Sequence, residues 1–173
     1  VTGLVSWEHD GEAYHARMGA GFSGDTSTFN YESRGALVGA QVQARTTQDD
    51  RRGKRTSGLI DHEAGLVRMQ RGEDSRERHI KGLAVSLSSL PLALACLDEK
   101  IEKAALFIVG DFWVEDAVVI NRGLESLDLP GKTVQARHFQ SRIHNGKNMD
   151  IWLAPAWRNA PVRIRYDDGG LVV

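Results

Sequence analysis

The residues with the widest chemical repertoire are six histidines: His9, His15, His62, His79, His138 and His144. An imidazole can ligate a metal or move a proton near neutral pH. Either use needs a second group held close by. No two of these histidines stand two or four residues apart, so no strand or helix face pairs them locally. The densest run of ligand types is Asp61-His62-Glu63. Successive side chains of an extended chain point to opposite faces, so this run does not converge by itself. A hydrolase or metal-dependent enzyme would have to gather Asp61, His62 and His138 from distant segments. Cys96 stands alone among Leu and Ala. Apolar surroundings raise a thiol's pKa and suppress the thiolate, so it reads as a small buried hydrophobe. Phosphate loops, GxSxG, HExxH, paired cysteines and dinucleotide fingerprints are absent. The sequence therefore points to no catalytic residue, no metal ligand and no cofactor.

Binding is the other class of chemistry to weigh. Trp113 and Trp152, with Leu90, Leu94 and Leu97, are candidates to line an apolar cavity, although such residues are more often plain core. Charge is unevenly placed. From residue 132 to 165 the cations are Lys132, Arg137, Arg142, Lys147, Arg158, Arg163 and Arg165, against Asp150 alone. From 98 to 128 the balance is reversed, with eight carboxylates. Arg137, Arg163 and Arg165 are thus candidates for a face that meets an anionic partner such as a lipid headgroup. The plainer alternative, that the acidic and basic elements neutralise each other, is favoured. The net charge of -1 gives no electrostatic case for nucleic acid. No apolar run approaches the roughly 18–20 residues needed for a membrane-spanning helix. The chain starts at Val1 rather than Met, so a processed N-terminal segment stays open.

The elements that must position these groups are mostly strands. Glu8-His9-Asp10-Gly11 turns a first hairpin, and residues 19–28 read as a Gly- and Ser-rich loop or bulged edge. Gly35 and Gly39 mark a bend or bulge in the strands of 29–43. The region 45–81 reads as short strands in a solvated, charged face with long turns. From 88 to 103, Leu90, Leu94, Leu97 and Ile101 fall on one helical face, with Ser88 or Ser89 as cap and Pro91 in the first turn. After this helix, Pro130-Gly131 and Asn145-Gly146 divide the C-terminal third into an antiparallel meander. Its last unit, 150–166, is strand, proline corner, strand. There Val162, Ile164 and Tyr166 alternate with Arg163 and Arg165 before an Asp-Asp-Gly-Gly turn. The expectation is one domain over 1–173. Its fold class is mainly β (α+β): a curved antiparallel sheet or half-barrel packed on one central helix.

The run Asp150-Ile151-Trp152-Leu153-Ala154-Pro155, followed by Ala160-Pro161-Val162-Arg163-Ile164-Arg165, resembles the C-terminal signature of the bacterial domain-of-unknown-function family 3108. The hairpin at 4–14, the segment 57–67, the helix at 83–97 and the strand pair at 124–139 are similar to other parts of that family. The corner Ala156-Trp157-Arg158-Asn159 departs from it, lacking the usual glycine–aromatic pair. The resemblance implies an exported periplasmic or cell-envelope protein. By analogy with lipoprotein-carrier half-barrels, it also implies a curved sheet that holds a lipid or apolar ligand, or docks an envelope partner, without catalysis. The alternative is the hydrolase or metal-dependent enzyme above.

Overall fold

The computed structural model describes residues 2–21 and 27–166. The turn expected after Tyr166, and most of the Gly/Ser loop after Gly21, lie outside the described residues. About 70% of the chain is strand, arranged in two sheets that do not close. The first sheet is a seven-stranded antiparallel meander: β1 (Thr2–His9), β2 (Ala13–Gly21), β3 (Ser27–Val38), β4 (Gln41–Arg51), β5 (Lys54–Asp61), β6 (Leu66–Arg71) and β7 (Asp74–His79). The second holds β8 (Ala84–Ser86), β9 (Lys103–Gly110), β10 (Trp113–Leu129), β11 (Lys132–Arg142), β12 (Asn148–Ala154) and β13 (Ala160–Tyr166). It is also sequential, except that β8 lies parallel to β9. Each sheet is thus built from local hairpins, and the chain changes sheets between β7 and β8.

The period-two pattern decides which faces meet. In β2, Tyr14, Ala16, Met18 and Ala20 are buried on one face. They join Phe29, Tyr31 and Val42 from the same sheet and Ile108, Val119, Phe139, Ile151, Leu153 and Tyr166 from the other in one core. The α-helix α1 (Leu90–Ala95) adds Leu90 and Leu94, each 1% exposed, to that core. Burying side chains of this size contributes roughly 1.5–3 kcal/mol apiece. Glycines allow two close approaches. A Cβ at Gly35 would fall 2.7 Å from the Tyr14 ring and still closer to the Gln43 carbonyl, at a bulge in β3. A Cβ at Gly110 would overlap the indole of Trp113, which covers that position.

Three expectations need correction. The single curved sheet is two sheets. The helix expected over 88–103 is only six residues long. Its capping serines bond instead to Ser86, and Asp98 Oδ1 accepts the Lys100 amide in a turn that ends the segment. Pairing of β9 with β10 reaches back to Glu102, whose carbonyl accepts the Asn121 amide, so ladder bonds displace the helical continuation. Ile101 ends 36% exposed. The long turns expected between 45 and 81 are tight, and the charged segment 74–79 is a strand. β7 has no buried residue and pairs fully with β6, where Arg68 Nε donates to Glu77 Oε1 at 2.8 Å. The Pro-Gly and Asn-Gly turns of the meander β10–β13 stand as expected, but its first strand does not begin at Leu124: β10 runs unbroken from Trp113 to Leu129, with a register shift at Asn121/Gly123. Asn145 (φ 60°) and Gly146 (φ 70°) form the positive-φ turn that Asn-Gly favours.

Candidate ligand-binding cleft

The structure divides the residues singled out as ligand lining. Trp113, Leu90, Leu94 and Leu97 belong to the core between the sheets. Trp152 does not. Alternation along β12 turns it to the opposite face of its sheet, where it packs with Leu127 and Ala136. Ile151 and Leu153 are the inward neighbours. The five main clefts among the described residues are lined by none of the three leucines; Leu90 and Leu94 fill space in the core, with Leu97 packed against it.

The proposed cationic face also splits. Arg137 points inward and is 4% exposed. One Nη donates to Asn159 Oδ1 at 3.1 Å, whereas its Nε and other Nη have no hydrogen-bond partner among the described residues. A buried guanidinium cannot present charge to a partner. Arg163 and Arg165 are exposed on the outward face, and Arg163 lies over the Trp152 ring and donates to the Asp128 carbonyl. The acidic segment does not neutralise them. Among the described residues its carboxylates Glu115 and Glu125 pair with His144 and His138, and Asp116 pairs with Arg78.

A cleft of about 440 Å³ lies elsewhere, between the two sheets at their free edges. β1 ends the first sheet and β13 ends the second, and no ladder joins the two among the described residues. Met18, Phe29 and Tyr166, all at most 5% exposed, belong to both the cleft wall and the core. Val5, Pro161, Val162 and Ile164 line the sides, and Leu4 stands at the rim, 67% exposed. Phe29 stacks on Tyr31 at 4.8 Å and meets Tyr166 edge-on at 5.8 Å, which fixes the aromatic wall. The volume falls within the range of small-molecule sites.

Beyond Tyr166 is a second, polar cavity of about 230 Å³. Its lining includes Arg51, Arg71, Arg76, Asp111, Phe112, His144 and Lys147. Cross-strand pairing puts Asp49 opposite Thr56. Thr56 donates to Asp111 Oδ1 at 2.8 Å, and Arg71 donates to both Thr56 Oγ1 and Asp111 Oδ1. Burial, reinforced by the neighbouring Asp111 charge, holds the Asp49 carboxyl well above the usual carboxylate range. Phe112 takes a positive φ of 64° in the turn between β9 and β10. The guanidiniums of Arg71 and Arg76 lie 4.6 and 4.4 Å from its ring centre, and Arg76 also donates to its carbonyl.

The enzyme constellation is not assembled. His62 Nε2 lies 2.8 Å from the Ala44 carbonyl, and Asp61 caps its own turn through the Ala64 amide. His138 is on the other sheet. It stacks on Trp152 and lies 2.7 Å from Asp150 Oδ1, while Glu125 accepts from the Trp152 indole and approaches the second His138 nitrogen. His15 is bracketed by Glu8 and Glu32 in the same manner. These histidines brace outward sheet faces, and the described residues hold no group of three or more His, Cys, Asp or Glu suited to a metal. Burial pushes the Cys96 thiol up. No described helix is long and apolar enough to cross a membrane. Sequence reasoning missed the cleft residues because edge position depends on strand order; the one visible signal was the apolar stripe Val162, Ile164, Tyr166. Comparison of the chain with protein families, with curated proteins and with solved structures finds no match in any of the three.

Proposed function

We propose that the protein binds a small apolar ligand in the cleft between β1–β2 and β13, and that it does so without catalysis. The observation that carries this reading is a cleft of about 440 Å³, walled mainly by apolar side chains with Arg163 at its side, that reaches buried core residues from an open edge. An apolar occupant would gain by taking the Phe29, Val5 and Ile164 surface of the cleft out of water. The helix supports a carrier-like reading to the extent that Leu90 and Leu94 anchor both sheets. The resemblance of 150–165 supports placing this role in the bacterial cell envelope, with a lipid as the ligand class.

The test is a fluorescence titration with N-phenyl-1-naphthylamine, a neutral apolar probe. Saturable binding is expected. Val5→Trp, which fills the cleft, and Leu4→Glu, which charges its rim, should each weaken it at least tenfold. Binding unaffected by both variants, or no saturable binding at all, would refute the proposal.

A further inference from the structure

The polar cavity adjoins the apolar cleft at two places. Tyr166 lines both. Phe29 of the cleft and Arg51 of the polar cavity are direct cross-strand partners in β3 and β4, so their side chains leave the same face about 5 Å apart. The two cavities also differ in sign and polarity. The cleft wall is mostly aliphatic and aromatic. Among the described residues, the polar cavity sets Arg71, Arg76 and Lys147 beside the carboxylate of Asp111.

That carboxylate is already committed. Asp111 accepts from Arg71 and Thr56, so the pair cancels within the wall. Arg76 spends one Nη on the Phe112 carbonyl and stacks on the Phe112 ring, which orients its plane. Its Nε and second Nη have no protein partner among the described residues. Lys147 forms no ion pair among them either. Asp49, behind Thr56, adds little negative charge because its carboxyl is held toward the protonated form. Arg76 is exposed and Lys147 half-buried at the mouth of this concave site, and neither has a carboxylate partner among the described residues. An oriented guanidinium fork beside an ammonium suits a phosphate or carboxylate.

We infer that the ligand is an amphipathic anion, with its apolar body in the β1–β13 cleft and its phosphate or carboxylate head in the cavity lined by Arg76 and Lys147. This inference rests on the apolar-cleft reading for the body and on charge complementarity for the head. The head group sits past Tyr166, so the ring separates the wet end of the ligand from the dry one.

The test displaces N-phenyl-1-naphthylamine with three competitors: dodecyl phosphate, dodecanol and inorganic phosphate. In the wild-type protein dodecyl phosphate should bind at least tenfold tighter than dodecanol, and the advantage should shrink as salt rises. Lys147→Met and Arg76→Met should each reduce dodecyl phosphate affinity about fivefold or more and leave dodecanol unchanged. Lys147 holds the turn only through its backbone, and its side chain forms no ion pair among the described residues, so its variant reports on binding even where Arg76→Met loosens the Phe112 turn. Inorganic phosphate should compete weakly with dodecyl phosphate and not at all with dodecanol. Equal affinity for dodecyl phosphate and dodecanol overturns the head-group site while leaving the cleft intact. Inorganic phosphate binding as tightly as dodecyl phosphate, measured by calorimetry, makes the cavity a free-anion site and overturns the amphipath. Failure of all three competitors and of the probe removes both readings.

Discussion

The two long sides of the molecule are finished differently. At β7 and β8 the chain itself passes from one sheet to the other. Ile80 donates to the Gly65 carbonyl, Phe107 donates to the Leu83 carbonyl, and Ile80 is 5% exposed in a second core with Val67, Met69 and Val109. Arg78 and Asp116 add an exposed ion pair across the gap, 3.9 Å apart and of little energetic weight. At β1 and β13 no connection crosses among the described residues, and the gap is an apolar cleft. Covalent continuity closes one side; the other stays open because two edge strands end the sheets without pairing. A groove of about 530 Å³ also lies beside the stitched side, lined by the core residues Leu106 and Ala117 together with Leu83, Phe107, Asp116 and half-exposed Val118; there the chain connection and the β8–β9 ladder, rather than an absence of apolar surface, set the side apart.

This contrast can be broken most strongly at the stitched side. Ile80→Ala should cost about 3 kcal/mol, since the closed core cannot relax into the space left. Met18→Ala in the cleft wall should cost less, about 2 kcal/mol, because the wall already faces open volume on one side. Chemical denaturation of both variants compares the sides directly; equal costs would mean that the cleft is not structurally distinct. Arg137→Met should raise stability by about 1 kcal/mol, because it removes an incompletely partnered buried cation and keeps the packing volume. A destabilised variant would show that the guanidinium has a stronger partner than Asn159.

Asp49→Asn changes a slope more than an offset. The folded-state pKa of Asp49 is raised, so the folded protein holds a proton that the unfolded chain releases above about pH 4. The wild type therefore loses stability as pH rises from that value toward the folded pKa, and the asparagine variant does not. Melting temperatures should converge near pH 4 and favour the variant at pH 8. A wild type that gains on the variant as pH rises would reverse the sign. The smallest effect belongs to Leu4→Glu at the open rim, whose stability should stay within about 0.5 kcal/mol of wild type.

The legible parts of the fold are those written in local patterns. Pro130-Gly131 and Asn145-Gly146 place the β10–β13 meander, and Ile164 and Tyr166 give the inward face of β13, while a register shift turns Val162 onto the small outward core beside Trp152. The helix was misjudged because Leu97 and Ile101 keep helical spacing by coincidence while β9 claims the chain that follows. β7 carries no apolar alternation, since its pairing depends on β6 and on charges such as Glu77. The apolar run Ile151-Trp152-Leu153 hides a reversal of face, because a small second core on the outward side also buries Trp152. The polar cavity was invisible for a different reason: Asp49, Thr56, Arg71 and Asp111 are brought together by cross-strand register and a turn from the opposite sheet. Neither leaves a spacing signal in the chain.

The most direct measurement of the central claim is a backbone amide NMR titration with N-phenyl-1-naphthylamine. The account predicts saturable shifts at Leu4, Val5, Ile164 and Tyr166, sharing one dissociation constant, with Ile80 and Phe107 on the stitched side unmoved. Shifts centred on Ile80, Leu83 and Phe107, or unsaturated drift spread over both sheets, would contradict it.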